Sequence, residues 1–469
     1  MTHGSQTIAV VGGTVIDGTG TPAQPGCTVL IEDGKVAAVG AAADQRIRDR
    51  PDIDRIQATG KTVMPGLIDA HTHLSFGEPT GNDELFFHRT EAFSSILSAH
   101  NAGKVLRAGV TSVMDADCLW NIGVELRDAI ESGIVEGPRM RAGGNALMTM
   151  LGGTAGRLIR DEGRTGYATV VHNPEGIQRE VRRQVKYGVD WIKIMVTGLI
   201  PSVKGPEVKV WNKHEIQTVI DAAHELNTPV VGHCRNSLST KESAEAGIDM
   251  IYHSSYMDDE ALEAVITAGT TLCPTLTLLG NLVDYGQKVG TAPALLDLFK
   301  AELDVTGEMI GKAHNEGVRV VTGSETGFAV TPCGEWHARE LDMLVRYAGF
   351  SPMEAIKAAT TDAAWVMRMD GQVGALRQGY IADIIVVDGD PLADITVLTR
   401  PGAIQEVIKA GHRVDMSKPV PERTPLAGEK VTFLAACPLT RAFAYEDTAK
   451  GSTAEPVLTD EEMLDLSHA

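Results

Sequence analysis

The chain has 469 residues, of which 43% are hydrophobic and 22% are charged, a balance typical of folded globular proteins that argues against disorder. Its 62 acidic and 42 basic residues give a formal net charge of -20, so the surface repels nucleic acid phosphates and anionic membranes. The length exceeds that of one compact domain, and we expect either a large domain with an accessory domain or two domains.

The six cysteines are widely scattered and form no CxxC pair, which argues against a disulfide framework and favours a reducing compartment. The N-terminus shows no basic region followed by the apolar core of a signal peptide. No window approaches the roughly 18 apolar residues of a membrane span. We therefore expect a cytoplasmic homo-oligomer that acts on a small molecule and has neither nucleic acid nor membrane as a partner.

The two ends of the chain share a β-rich texture. Short strands with DG and GG turn signals fill residues 7–17, 27–40 and 54–63, and the same texture returns at residues 380–390 and 405–415. This layout predicts a small β-sandwich domain built from residues 1–63 and 369–436. Residues 437–469, rich in Thr, Glu and Asp, are expected to form a C-terminal tail.

The centre of the chain, residues 64–368, alternates short apolar strands with amphipathic helices, for example at residues 215–227 and 259–269. Eight strands alternating with helices over about 260 residues is the rhythm of an α/β fold of the (β/α)8 TIM-barrel type. An open doubly wound sheet is the alternative, but no GxGxxG follows the first strand. The candidate strands are residues 66–73, 110–117, 139–144, 190–198, 229–234, 250–255, 270–276 and 319–325.

Two histidines end the first candidate strand. His71 and His73 are separated by one residue, so their side chains point to the same face of the strand. In a barrel this position lies at the carboxyl end of the strands, where active sites form. The pair is well placed to bind one divalent cation.

Three more polar residues lie on other strands of the same predicted barrel. Lys193 lies within the fourth strand, His233 ends the fifth and His253 ends the sixth. Each could be a half-buried polar residue without further role. Because the strand ends of a barrel converge, we instead expect them to meet the first two histidines around a metal centre.

Lys193 stands between two isoleucines, in a strand that would bury its ammonium beside metal ions at high cost. A neutral lysine can react with carbon dioxide to give a carbamate, an anion suited to bridging two metals. The alternative is a barrel-core lysine paired with a carboxylate.

Seven segments carry a recognisable pattern: PGLIDAHTHL (65–74), DWIKIMVTG (190–198), VVGHCRN (230–236), IYHSSYMDDEAL (251–262), CPTL (273–276), TGSETG (322–327) and GQVGALRQGYIADIIVVDGDPLADI (371–395). Together they resemble the amidohydrolase superfamily, over residues from about 8 to 415. Within it, the chain is most similar to the branch of imidazolonepropionase-like enzymes, Xaa-Pro dipeptidases and ochratoxin-hydrolysing enzymes, near the phenylurea and molinate hydrolases.

The resemblance implies a metal-dependent hydrolase barrel and a β-sandwich made from both chain ends. It implies that His71 and His73 bind one metal, that a carboxylated Lys193 bridges, and that His233 and His253 bind a second metal. Zinc is the expected ion, with cobalt or manganese as alternatives.

The eighth strand departs from the family pattern, which usually ends in Gly-Thr-Asp. This chain has Gly323, Ser324 and Glu325, and the longer glutamate puts in doubt whether one or two ions bind. We expect Glu325 to act as general acid/base and metal ligand, with His253 as the other catalytic residue. Glu325 could alternatively be a solvated loop carboxylate, and Ser324 and Thr326 are weaker candidates.

The predicted function is hydrolysis of a C–N bond, in an amide, carbamate or urea, by hydroxide formed on the metal. The loops that follow the predicted barrel strands should line the substrate pocket, and they carry apolar residues. This favours a largely apolar substrate, unless these residues pack between barrel and helices. Arg235 could instead clamp a carboxylate or pair with a surface acid. The expected substrate-binding residues are Arg235, Met150, Leu199 and Tyr252.

Three alternatives remain open. One is an Xaa-Pro-type dipeptidase or N-acyl amino acid hydrolase, in which the arginine would hold the substrate carboxylate. Another is a cyclic amidine or imidazolone hydrolase, or a deaminase. The last is a non-catalytic scaffold, against which the retained histidines and lysine argue.

Overall fold

The structure is a computed structural model that describes residues 7–79, 90–152, 161–162, 164–198, 207–418, 420–421 and 437–446. Within these ranges, no helix combines the length and the hydropathy that a membrane crossing requires.

The strands are, in chain order, β1 (Ile8–Val15), β2 (Gln24–Glu32), β3 (Lys35–Val39), β4 (Asp54–Gln57), β5 (Thr62–Pro65), β6 (Leu67–Thr72), β7 (Val110–Asp115), β8 (Arg139–Ala142), β9 (Ala146–Met148), β10 (Arg164–Thr165), β11 (Ala168–Val170), β12 (Ile192–Met195), β13 (Val230–Cys234), β14 (Met250–His253), β15 (Thr271–Cys273), β16 (Ile384–Val387), β17 (Ile404–Lys409) and β18 (His412–Arg413).

The helices are α1 (Ala41–Ile47), α2 (Glu91–Arg107), α3 (Ile122–Glu131), α4 (Pro174–Lys186), α5 (Lys213–His224), α6 (Ser237–Glu245), α7 (Asp259–Ala268), α8 (Leu276–Tyr285), α9 (Pro293–Asn315), α10 (Arg339–Ala348), α11 (Pro352–Ala358) and α12 (Arg441–Tyr445). Short 3-10 turns occupy Gly286–Val289, Ala363–Trp365 and Ile395–Thr399.

The two chain ends meet in one β-domain, as the sequence predicts. Its strands follow the order β18-β17-β16-β5-β1-β2-β3, with β4 paired to β1. Strand β16 from the C-terminal part pairs antiparallel with β5 from the N-terminal part, with Ile385 opposite Met64. Ile8 and Val10 bury one face of β1 against Ile384, and the alternate residue Ala9 packs on the other face beside α1. This alternation makes the domain two-sided.

The central strands form the predicted barrel. Parallel strands run in the order β6-β7-β8 and β9-β12-β13-β14-β15. A backbone hydrogen bond of 2.7 Å from Asp190 N to Ala142 O joins the two groups of strands. A second, of 2.9 Å from Ala70 N to Thr322 O, closes the barrel between its first and last strands. The carboxyl ends of all these strands therefore surround one site.

The eighth strand differs from the prediction. Residues 319–325 form one isolated bridge, Val320 with Leu272, instead of a regular ladder. Glu325 has a φ of 56°, in the left-handed region, so the chain turns at the site and cannot continue as a strand. The other seven predicted strands each contain an observed strand.

The two predicted helices are present as α5 and α7. Helix α7 begins after Asp258, whose side chain accepts the backbone N–H of Ala261, and ends at Gly269 with a φ of 69°. An N-cap acid and a left-handed C-terminal glycine are the signals expected at these positions.

The first residues of the predicted tail pack on the barrel. Leu439 is fully buried, its backbone N–H bonds to Ala329 O at 2.7 Å, and its carbonyl accepts the indole N–H of Trp336 at 2.6 Å. The residues from 447 onward lie outside the described ranges.

Gly143 gives a direct test of barrel packing, because a Cβ there would lie 2.0 Å from the carbonyl oxygen of Ala116. We expect Gly143→Ala to destabilise the fold by about 3 kcal/mol or more, since backbone atoms must move. Gly103→Ala is the matched control, because its Cβ would meet nothing closer than 3.6 Å and a helical alanine is favoured. Thermal denaturation should show a lower midpoint for Gly143→Ala and an unchanged or higher one for Gly103→Ala. Equal midpoints would contradict the close approach.

Candidate metal centre

The two histidines of the first barrel strand lie side by side at its carboxyl end. His71 and His73 are both buried, and their ring centroids are 4.9 Å apart. His71 is the fifth residue of β6 and His73 directly follows its last residue, so the alternation of side chains places both rings on the same face, as the spacing predicts.

Glu325 faces both rings from the eighth strand. Its Oε2 lies 3.7 Å from His71 Nδ1, and its Oε1 lies 3.9 Å from His73 Nε2. One ligand atom from each of the three side chains can be chosen so that all lie within 4.8 Å of one another. The left-handed backbone of Glu325 turns the longer side chain into the site, where the family pattern has aspartate.

These donor atoms have the environment that a metal ion would complete. Both ring nitrogens of His71, Nε2 of His73 and Oε2 of Glu325 are buried and accept or donate no hydrogen bond within the described part of the chain. Buried polar atoms are normally satisfied, so a group of unsatisfied nitrogen and oxygen donors facing one another fits a divalent cation.

The histidines of the fifth and sixth strands adjoin this group. His233 Nδ1 and His253 Nε2 are 2.8 Å apart, and His253 Nδ1 lies 3.5 Å from Glu325 Oε2. His253 also bonds to the Thr275 hydroxyl, and His233 bonds to the Gly198 carbonyl. Glu325 thus stands between the two histidine pairs.

Lys193 lies on the same side of the barrel, fully buried. Its Nζ is 3.5 Å from Asp117 Oδ1 and 4.2 Å from the centre of the Tyr252 ring. Asp117 Oδ1 is also 3.4 Å from His73 Nδ1. The structure therefore brings all six predicted metal-site residues together, and it adds Asp117.

The electrostatics of the site favour neutral imidazoles on three of the four histidines. Burial, followed by the positive charges nearby, lowers the pKa of His71, His233 and His253 well below the usual value. Burial also acts to lower the pKa of His73, but Asp117 and Glu325 outweigh it and raise that pKa. A neutral imidazole is the form that binds metal ions.

Asp69 holds the backbone beneath the metal-site residues. It accepts the backbone N–H groups of His71 at 3.1 Å and Ser324 at 3.0 Å, and its Oδ2 lies 2.7 Å from His337 Nδ1. The Ser324 hydroxyl also donates to Asp69, so it points away from the position that a general acid/base would need. These contacts fix the first and eighth strands relative to each other.

Sequence reasoning did not identify Asp117, Asp69 or His337 as part of the site. Asp117 ends the second predicted strand, so its position at a strand end was an available signal. Asp69 precedes His71 by two residues and shares its strand face. His337 follows the eighth strand by a loop, and nothing in its local sequence indicates its contact with Asp69.

An aromatic wall covers the His73 side of the site. The Phe76 ring stacks on His73 with centroids 4.4 Å apart, Phe328 lies 5.6 Å from His73, and Tyr167 lies 5.3 Å from Phe76. A substrate that approaches His73 therefore meets hydrophobic rings on this side.

The predicted substrate-binding residues occupy different places. Arg235 is buried and forms an ion pair with Glu302 at 2.5 Å, so its partner is a buried acid and not the surface acid considered from the sequence. Tyr252 lies beneath His71, with ring centroids 3.7 Å apart, and its hydroxyl donates to Ala70 O at 2.7 Å, so it supports the histidine from inside the barrel.

The other two predicted substrate-binding residues have no contact with the site that the structure describes. Met150 is 60% exposed. Leu199 lies outside the described residues, and the substrate roles stay predictions.

Several known proteins are similar to this chain in sequence and in structure. The model of the Amidohydrolase family matches residues 62–414. Ochratoxinase of Aspergillus niger is 28% identical over 423 residues, which cover 86% of this chain and 85% of the ochratoxinase. The solved structure of a Xaa-Pro dipeptidase with bound methionine superposes with a TM-score of 0.75 at 27% identity, over 87% of this chain and all of that one.

Molinate hydrolase shares the fold, with a TM-score of 0.72 at 24% identity over 90% of this chain and 99% of that one. These matches confirm the resemblance that the seven sequence segments predict.

Proposed function

The chain belongs to the amidohydrolase family and is a hydrolase of C–N bonds, and from this premise we propose that it depends on a divalent metal and cleaves a largely apolar amide, carbamate or urea. The observation that carries the metal dependence is the group of unsatisfied buried donor atoms on His71, His73 and Glu325. Nitrogen and carboxylate donors in this number suit zinc first, with cobalt and manganese as alternatives.

The metal would be held by His71, His73 and Glu325, with His233, His253 and Lys193 available for a second ion. A bound ion would lower the pKa of water to about 7 and polarise the carbonyl oxygen of the substrate. The protein side chains do the remaining work of orientation and proton transfer.

Glu325 is the residue that we assign to proton transfer. Its Oε2 lies within 3.7 Å of His71 Nδ1 and 3.5 Å of His253 Nδ1, between the two histidine pairs. From there it can accept the proton of the attacking water and return it to the leaving amine. His253, held by the Thr275 hydroxyl, is the second group within reach of that proton.

The apolar preference rests on the aromatic wall of Phe76, Phe328 and Tyr167 beside His73. Such a wall binds an aliphatic or aromatic group next to the bond to be cleaved. These three side chains carry no charge, so they would not bind a charged part of the substrate.

A dipeptidase or N-acyl amino acid hydrolase is the second candidate, favoured by the likeness to a Xaa-Pro dipeptidase. That function needs a free cation for the substrate carboxylate. The ion pair between Arg235 and Glu302 already neutralises the buried guanidinium of this region, which weighs against it.

A hydrolysis screen separates the candidates. The zinc-loaded protein would be offered neutral acyl anilides and phenylureas beside N-acyl amino acids and Xaa-Pro dipeptides, and the released amine would be measured. We expect turnover of the neutral compounds to exceed that of the carboxylates. The reverse order would favour the dipeptidase, and no turnover of any C–N substrate would reject the proposed function.

Carboxylation of Lys193 is a further expectation for the loaded enzyme. A carbamate forms when the neutral amine adds to carbon dioxide and releases a proton, and here it would place a second anion beside Asp117, 3.5 Å away. We therefore expect it only when a cation is bound. With ¹³C-labelled bicarbonate, NMR should show a carbamate signal in zinc-loaded protein, and the signal should be absent from stripped protein and from Lys193→Ala. A bare amine still paired with Asp117 in a zinc-loaded crystal would contradict this expectation.

A further inference from the structure

Beyond His233 and His253 lies a second group of unsatisfied polar atoms, which we call the Glu207 cluster: Glu207, Arg235, Ser255 and Glu302. Both carboxylate oxygens of Glu207, Nε of Arg235 and Oε2 of Glu302 are buried and have no hydrogen-bond partner among the described residues. The exposed fractions of Glu207, Arg235 and Glu302 are only 8%, 5% and 0%. Buried charged groups are costly to leave unpaired, so this group calls for a ligand.

The cluster borders the metal centre. Arg235 and Ser255 each follow a metal-site histidine by two residues on neighbouring strands, which are in register with Cys234 opposite His253. The backbone N–H of Arg235 bonds to Thr197 Oγ1 at 3.0 Å, at the end of the fourth barrel strand. The side-chain amide of Asn236, the residue after Arg235, donates to the backbone carbonyl of Glu207 at 2.6 Å, which places Glu207 beside this strand end. A substrate bound at the metal centre can therefore reach the cluster.

The cluster is electrically neutral only while Glu207 carries a proton. Arg235 Nη1 bonds to Glu302 Oε1 at 2.5 Å, and the Ser255 hydroxyl donates to the same oxygen, so one carboxylate already neutralises the guanidinium. Glu207 brings a second buried carboxylate with neither oxygen bonded. A carboxylate ligand would face the carboxylate of Glu302 and the carboxyl group of Glu207, whereas a cation can take the place of the Glu207 proton and keep the cluster neutral.

We propose that the Glu207 cluster binds a primary ammonium group of the substrate while the C–N bond to be cleaved lies at the metal centre. This inference rests on the proposed function and narrows it. The aromatic wall lies on the His73 side and the cluster lies beyond the opposite histidine pair. The substrate class is thus an amide with an apolar group at one end and an ammonium group at the other.

The burial of Glu207 determines whether this side chain carries a proton before the ligand binds. Burial raises the pKa of Glu207 to about 8, although the positive charge of Arg235 acts against it; Glu302 raises it further and Thr197 lowers it. The free cluster therefore holds a proton on Glu207 at neutral pH, and a bound ammonium takes the place of that proton. Binding should therefore release protons at pH 7, and it should release fewer at pH 9, above the Glu207 pKa.

The test uses the zinc-loaded full chain and two probes of one shape, n-butylammonium chloride and sodium butyrate, followed by calorimetric titration. Glu207→Gln keeps the size of the side chain but cannot become a carboxylate, and Glu263→Gln is the control on an exposed glutamate. We expect the ratio of butylammonium to butyrate affinity to fall by about 10-fold or more in Glu207→Gln, the cost of one charge-assisted hydrogen bond. The ratio should be unchanged in Glu263→Gln.

The proton release is measured on the wild-type protein by titration in buffers of different ionisation enthalpy, so it needs no folded variant. An unchanged affinity ratio in folded Glu207→Gln, no binding of butylammonium, or no proton release at pH 7 would each overturn the proposal. Because the titration needs no turnover, failure of hydrolysis in the substrate screen is a separate result that rejects the proposed function instead.

Discussion

Replacing His73 by alanine is expected to remove the bound cation and to reduce hydrolysis of any substrate of the enzyme to background, and His71→Ala is expected to do the same. Both rings face Glu325 from one strand, and their free nitrogens have no other partner in the described structure. Loss even of a residue that only supports a ligand costs about 10–100-fold in metal affinity, so loss of a ligand should cost more than about 100-fold.

The measurements are metal content by mass spectrometry, turnover, and circular dichroism to show that the barrel is intact. His412→Ala is the control, because His412 is an exposed histidine of the β-domain. Wild-type metal content and turnover in either site variant would show that the metal centre is assigned to the wrong residues.

Glu325→Gln is expected to cut kcat by about 10²–10⁴-fold, the usual cost of removing a general base. The amide keeps the length and one oxygen of the side chain, so metal content should stay near that of the wild type. Glu325→Asp should retain part of the activity, because the carboxylate survives but is drawn back by one methylene. Aspartate tolerates the left-handed φ of 56° at this position, so backbone strain would not explain a loss.

Two results would change the role of Glu325. Normal hydrolysis by Glu325→Gln would show that another group activates the water, and His253, 3.5 Å from the same carboxylate, would be the first to examine. Loss of the metal from Glu325→Gln would make the residue a ligand first and a base second.

Much of the metal centre follows from sequence because strand geometry is regular. Strands with converging carboxyl ends carry His71, Lys193, His233 and His253, and His73 directly follows the first of them, so their positions along the chain predict their meeting in space. The β-domain is predictable for a similar reason, since turn signals and alternating residues recur at both chain ends.

The remaining parts of the site depend on contacts that have no local pattern. Glu302 lies in helix α9, 67 residues beyond Arg235, and only the packing of that helix decides whether the arginine meets a buried acid or a surface acid. The irregular eighth strand is equally hard to predict, because a left-handed φ at a glutamate has no local sequence signal. His337 reaches Asp69 across 268 residues, again without a local signal.

Metal dependence of the hydrolysis is the central claim, and a zinc titration tests it most directly. The protein would be stripped with a chelator, zinc would be returned in steps, and bound zinc and amine released from a neutral anilide that the substrate screen shows to be cleaved would be measured at each step. We predict no turnover by the stripped protein, and turnover that rises in proportion to bound zinc until one or two ions per chain are held. Wild-type turnover by protein shown to contain no metal would contradict the account.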